Sequence, residues 1–250
     1  MTDLIIHIPH SSNKIPSIEG YCVDGEVLAN EQLLLTDWYT DELFASESTI
    51  NIKADFSRIF CDVERFRNDK DESMSMVGMG ALYTHTDSGL VMRKIENELR
   101  ENILGHYYDK HHEQLNKEVD NQLLSKGKAF ILDAHSFSNT PFKRDLIQSI
   151  PRPDFNIGTD SFHTPQRIIE ISVAFFESRN YSIEIDKPYS GSIVPIAHYL
   201  NNSAVGSIML EVNRKLYLKD STNDKSKNFN IIKSLIAEYI ELLKIESSKL

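Results

Sequence analysis

The sequence predicts an α/β protein: a single domain built on a mainly parallel, mixed sheet with helices on both faces. Two observations point to this class. Short apolar runs alternate along the chain with amphipathic helical stretches, the pattern of strands crossing over through helices. The clearest runs, at 4–8 and 129–132, are almost continuously apolar, as strands buried on both faces must be. Each breaks off into polar residues that include a histidine. The ends of such strands are where open α/β sheets place their sites.

Composition sets the outer limits. A chain of 250 residues, 40% hydrophobic and 26% charged, fits one ordinary globular domain over 1–250, and there is no repeat, linker or low-complexity tract. The formal net charge of −10 argues against nucleic acid or an anionic membrane surface as partner. No apolar run is long enough to span a bilayer. The opening residues Met1-Thr2-Asp3-Leu4-Ile5-Ile6 lack a basic segment, so a cytoplasmic location is expected. Cys22 and Cys61 form neither a disulfide framework nor a metal motif.

In order, Leu4 to Ile8 reads as a first strand ended by Pro9, with His7 packed inside it and His10-Ser11-Ser12 following. Residues 30–46 read as one helix, on which Asp37 and Asp41 share a face. Asn51 to Asp55 is a second strand, followed by Arg58 and Arg65 among apolar residues with Asp62 between them. A guanidinium there is either paired structurally or held for an anion, and Arg65 is the more readily structural. The stretch 67–90, rich in charge, methionine and glycine, reads as loop. Val91 to Leu124 is helical with an interruption near Gly105. Ala129 to Leu132 is the central strand, running into Asp133-Ala134-His135-Ser136, with Lys143 and Arg144 beyond. A short strand at 154–159, a helix at 165–179, a half-buried strand at 181–185 and a turn-rich loop at 188–192 follow. Ser207 to Val212 is the last strand, with Glu211 near its end. A carboxylate in such a run is costly without a partner, which Asn213 or Arg214 could supply. Residues 228–246 give a closing amphipathic helix.

His10, Asp37, His135 and Glu211 thus fall at strand ends or at a helix start. Two neutral imidazoles and one carboxylate make a three-ligand catalytic zinc site, and a further glutamate can take the proton of a water whose pKa zinc brings near ~7. His112-Glu113 is not followed by a second histidine at the protease spacing.

Taken as a set, Ile8-Pro9-His10-Ser11, Thr36-Asp37-Trp38 with Asp41, Ser57-Arg58 with Asp62 and Arg65, Asp133-Ala134-His135-Ser136 and Glu211-Val212-Asn213-Arg214-Lys215-Leu216-Tyr217 resemble the N-formylglutamate amidohydrolase family over about residues 5–218. Tyr108 to Leu115 is similar to a histidine-bearing helix of that family, with His112 at the matching position, and Gly158-Thr159 and Pro188-Tyr189-Ser190-Gly191 match further loops. The resemblance implies a zinc-dependent amide hydrolase with an α/β fold resembling those of zinc carboxypeptidases and amidases. It makes His10, Asp37 and His135 the ligands of one zinc ion and Glu211 the general base, with His112 as a further proton donor. It implies Arg58, Arg65, Arg144, Arg214 and Asn213 as groups that hold a small anionic N-acyl amino acid, N-formyl-L-glutamate by default. The carboxypeptidase His-x-x-Glu pair is absent, because Asn13 stands three residues after His10. The acid must then come from the 30–46 segment, where Asp41 rivals Asp37. The alternatives are an amidohydrolase acting on another acyl amino acid or a short peptide, and a metal- or ligand-binding domain without catalysis, in which Glu211 merely pairs with Arg214.

Overall fold

The computed structural model describes residues 4–250, so residues 1–3 of the opening segment lie outside the described residues. Its centre is one six-stranded sheet formed by β1 (Ile5–Ile8), β2 (Ile50–Lys53), β3 (Ala129–Phe137), β4 (Phe155–Gly158), β5 (Ile183–Ile185) and β6 (Val205–Asn213) in the order β2-β1-β3-β6-β4-β5. The first four strands of that order run parallel, while β4 pairs antiparallel with β6 and parallel with β5. The mixed, mainly parallel α/β fold is the one expected. Among the described residues, no helix is long and apolar enough to cross a membrane.

The two faces of the sheet bury different chemistry. Side chains alternate along a strand, so Ile6 and Ile8 of β1, Phe130, Leu132 and Ala134 of β3, and Ile208, Leu210 and Val212 of β6 share one face. They pack in one apolar cluster with Leu4, α5 (Gln166–Glu177) and α6 (Phe229–Ser247). On the opposite face Ile5, Ala129, Ile131 and Val205 pack with Leu115 and Val119 of α4 (Asp109–Lys126). Continuing that second face toward the strand ends brings His7, Asp133, His135 and Glu211 onto one side. The register sets His7 beside Asp133 and His135 beside Glu211.

Three elements differ from the sequence reading. The helix expected over 30–46 is two, α1 (Gly25–Leu35) and the single turn α2 (Thr40–Leu43). Between them Thr36 is extended and Tyr39 sits at φ 63°, a left-handed conformation that stops a helix from running through. Asp37 therefore lies in a break between helices and not on a helical face. Second, β3 does not end at Leu132 but continues through Asp133, His135 and Ser136 to Phe137, because β6 pairs with it along its whole length. Third, the helix expected from Val91 begins only at Asn97, and its interruption near Gly105 is a π-helical turn, Leu104–Tyr108, between α3 (Asn97–Ile103) and α4. Such a turn widens the helix locally and shifts the facing of the residues beyond it.

Leu132 is wholly buried in the larger core, whereas Ile231 on α6 is 60% exposed. Leu132→Ala should therefore cost about 2–5 kcal/mol, and Ile231→Ala about 0.5 kcal/mol or less. Urea unfolding of both variants measures the contrast, and similar losses would contradict this placement of the core.

Candidate active site

The site is assembled by backbone contacts before any side chain is considered. The Asp37 N–H donates to the His10 carbonyl at 3.0 Å, and Ala54 N–H donates to the Ile8 carbonyl at 3.2 Å. The break after α1 and the strand β2 are thus both fastened to the chain around the end of β1. Asp37 then accepts from the Ser136 N–H at 3.2 Å and from Arg214 Nη2 at 2.9 Å. His10, Asp37 and His135, all buried, present one ligand atom each within 4.8 Å of one another. Asp41, by contrast, is partly exposed on α2 and faces Lys53 at 3.5 Å.

Each histidine of this triad is held from behind by a carboxylate. His10 Nε2 lies 2.8 Å from Asp62 Oδ1. His135 Nε2 lies 3.0 Å from Asp133 Oδ1. A carboxylate accepts only, so both Nε2 atoms carry a proton. His135 Nδ1 also faces a carboxylate, and although burial opposes a charge on this ring, Asp133 and Asp37 raise its proton affinity well above the ordinary value, so in the metal-free protein Nδ1 is protonated and a bound cation would take that proton's place. His135 Nδ1 is 3.3 Å from Asp37 Oδ2, and His10 Nδ1 is 3.8 Å from it with no hydrogen-bond partner among the described residues. Metal-binding imidazoles are held this way, with the second nitrogen on a carboxylate. The donor set fits a divalent ion of the zinc type.

Asp62 is the hub behind the site. Besides His10 it accepts from Glu64 N–H at 2.9 Å, from Arg58 Nε and Nη2 at 3.3 and 3.1 Å, and from the Tyr83 hydroxyl at 2.7 Å. Burial opposes its charge, but His10, Arg58 and Arg65 outweigh that and hold its carboxyl well below the usual range. Asp37 is likewise held well below it, with burial overcome by His10, His135 and Arg214.

Glu211 behaves differently. Burial pushes it up to about 8, a shift that His135 resists and Asp37 reinforces. Its Oε2 is buried without a hydrogen-bond partner. Arg214 is occupied elsewhere: its guanidinium donates to Asp37, to the Ser136 hydroxyl at 3.2 Å and to the Leu34 carbonyl at 2.6 Å.

The remaining candidates are spread out. Arg58 reaches toward Asp37 Oδ1 at 3.9 Å, and Arg65 Nε stands 3.8 Å from Asp62 with no hydrogen-bond partner. Asn213 is engaged locally, donating to Asn139 Oδ1 and the Pro153 carbonyl and accepting from Lys215 N–H. Arg144 ties a separate loop, donating to the Val77 and Asp87 carbonyls. His112 Nε2 donates to the Val63 carbonyl at 2.9 Å, behind the Asp62–Glu64 segment.

A second group goes beyond the sequence reading. His7, Glu64 and Asp133 also present ligand atoms within 4.8 Å of one another. His7 is not simply packed: its Nδ1 lies 3.0 Å from both Asp133 Oδ1 and Glu64 Oε1, and its Nε2 lies 2.8 Å from His111 Nε2. Burial opposes a charge on His7, yet Asp133 and Glu64 raise it to about 9. Burial and the neighbouring His7 lower His111 to about 2. The signal available in the sequence is the two-residue period of β1 and β3, which sets His7 and Asp133 on the face that carries His135.

Comparison with known proteins places the chain in a family. Residues 2–218 match the sequence profile of the N-formylglutamate amidohydrolases. The chain belongs to the N-formylglutamate amidohydrolase family. Among solved structures, an N-formylglutamate amidohydrolase from Ralstonia eutropha JMP134 is 20% identical and superposes with a TM-score of 0.83, covering 96% of this chain and 95% of that one. The gene product Atu2144 from Agrobacterium tumefaciens is 16% identical with a TM-score of 0.67, over 97% and 92% of the two chains. At these identities the likeness establishes the amidohydrolase fold. No curated protein sequence matches the chain.

Glu211 gives the site a pH signature. Its folded value, about 8, exceeds the ordinary ~4.3, so the folded protein keeps a proton that the unfolded chain has released. That contribution is complete below ~4.3 and is lost as pH rises through 8. Metal-free Glu211→Gln should match wild type in stability near pH 4 and exceed it at pH 9, as measured by chemical denaturation in chelator. Identical pH profiles for the two proteins would contradict the burial of this carboxyl.

Proposed function

We propose that this family member is a zinc-dependent amidohydrolase that splits the amide of an N-acyl amino acid, N-formyl-L-glutamate being the first substrate to test, with L-glutamate and formate as products. The observation that carries the reading is the pair of imidazoles with Nε2 fixed on Asp62 and Asp133 and Nδ1 turned toward Asp37. His10, Asp37 and His135 would hold one zinc ion. Bound there, it supplies Lewis-acid polarisation of the acyl oxygen and lowers the pKa of a water toward ~7.

The chain's own groups do the rest. Glu211, with an unpartnered Oε2, takes the proton of the attacking water and returns it to the leaving amine. Burial raises its proton affinity and a nearby cation lowers it, which brings the group toward neutrality where acid–base exchange is most effective. Arg214 orients Asp37 and, being spent there, does not neutralise Glu211 as a structural pair would. Capture of a substrate carboxylate falls to Arg58 and Arg65, whose side chains keep 15% and 24% of their surface exposed. His112, held on the Val63 carbonyl, leaves proton return to Glu211.

Two outcomes are expected. Glu211→Gln should retain its zinc, bind substrate with little change and lose turnover by a factor of ~10²–10⁴; metal analysis and single-turnover kinetics on the same preparation decide it, and full activity would remove Glu211 from the chemistry. For specificity, formyl-glutamate should exceed formyl-leucine in kcat/KM by roughly tenfold to a hundredfold, the worth of one charge-assisted hydrogen bond of ~1.5–3 kcal/mol. Equal values would assign Arg58 and Arg65 a purely structural role.

A further inference from the structure

Beside the triad, a single proton does not satisfy the His7 cluster. His7 Nδ1 faces two carboxylate oxygens, Asp133 Oδ1 and Glu64 Oε1, each at 3.0 Å. A bare lone pair cannot face both, so this nitrogen must bear a cation, either a proton or a metal ion. If it bears a proton, one N–H points at one acceptor. Asp133 takes it, and Glu64 Oε1 is left buried with no hydrogen-bond partner. An orphaned buried carboxylate oxygen costs more than its partnered form gains. A dication would engage all three atoms at once.

We propose that His7, Glu64 and Asp133 form a second divalent-cation site, distinct from His10, Asp37 and His135. The second site rests on the proposed function only in that His135 turns Nδ1 to the first ion and so keeps Nε2 for Asp133. The donor spacing suits it. Ligands ~2.0–2.1 Å from a tetrahedral ion stand ~3.3 Å apart, and two of the three separations here are 3.0 Å. The outer contacts suit it as well. His7 Nε2 lies 2.8 Å from His111 Nε2, so with Nδ1 given to an ion the ring keeps its proton on Nε2 and His111 accepts it. His7 then donates through Nε2 and offers Nδ1, the arrangement expected of a ligating imidazole. Asp133 Oδ2 is held by the Ile193 N–H at 3.1 Å. Glu64, whose side chain is 15% exposed against 0% and 1% for His7 and Asp133, gives an approach from solvent and a place for a water as fourth ligand. One imidazole and two carboxylates are donors for zinc or manganese.

The test uses the full chain stripped with chelator, titrated with zinc chloride by calorimetry, and analysed for bound metal by mass spectrometry after gel filtration. Wild type should bind two equivalents. Glu64→Gln, an isosteric change at the most exposed ligand, should lose one and keep one, and Asp37→Ala should likewise keep one. Saturation of wild type at one equivalent overturns the proposal of two sites without any variant being needed, as do two equivalents in folded Glu64→Gln. If wild type binds one ion that Asp37→Ala removes, the second site falls and the catalytic reading stands. If Glu64→Gln removes the sole ion and Asp37→Ala keeps it, the ion sits at His7, Glu64 and Asp133, and it is the catalytic reading of His10, Asp37 and His135 that falls.

Discussion

Burial of negative charge at the ends of β1, β3 and β6 is the constraint on which this structure depends. Asp37, Asp62, Asp133 and Glu211 are all nearly inaccessible, and an isolated buried carboxylate would protonate or unfold the region. Three of the four are compensated by imidazoles and guanidinium groups, several of which arrive from distant parts of the chain. Asp62 alone gathers His10, Arg58 and Tyr83. These contacts do more than offset desolvation. By accepting the Nε2–H of His10 and His135, Asp62 and Asp133 orient each ring and aim its other nitrogen at Asp37. Orientation of the candidate ligands is therefore a consequence of how the fold neutralises its own interior.

Glu211 is the exception, and under the proposed function it is the group that reacts. It is set beside His135 by the parallel register of β3 and β6, and the nearest arginine in sequence, Arg214, turns away to Asp37. Burial without a dedicated partner raises its proton affinity. A surface pair such as Lys53 with Asp41 has no such leverage, being screened and worth ~0–1 kcal/mol. On the proposed function, chemistry is concentrated where the protein leaves a carboxyl under-compensated in an otherwise balanced interior.

How much of this is legible in the sequence depends on the range of the interactions. The fold is legible because strand burial and helix amphipathicity are local patterns, visible in 129–132 and 228–246. His10, His135 and Glu211 are legible as candidates because polar residues interrupt apolar runs at strand ends. The break at Thr36–Tyr39 is not, since it depends on a left-handed Tyr39 and on the Asp37 N–H bonding to His10. His7 reads as packed because Ile-Ile-His-Ile gives no local hint of a partner. Its partners His111 and Asp133 lie 104 and 126 residues away, and only the sheet and the helix on it bring them together. Polar residues of β3 look like a loop for the same reason: the ladder with β6 that makes them strand is a long-range contact.

The central claim is that the two imidazoles are aimed by Asp62 and Asp133 so that their Nδ1 atoms, with Asp37, bind one ion. Anomalous diffraction at the zinc absorption edge, from crystals of the zinc-loaded protein, tests it most directly. The expected result is a peak ~2.0–2.1 Å from both His10 Nδ1 and His135 Nδ1 and within ligand distance of an Asp37 oxygen, with both Nε2 atoms still on their carboxylates. Zinc bound through Nε2 of either histidine, or no peak between His10, Asp37 and His135, would contradict it.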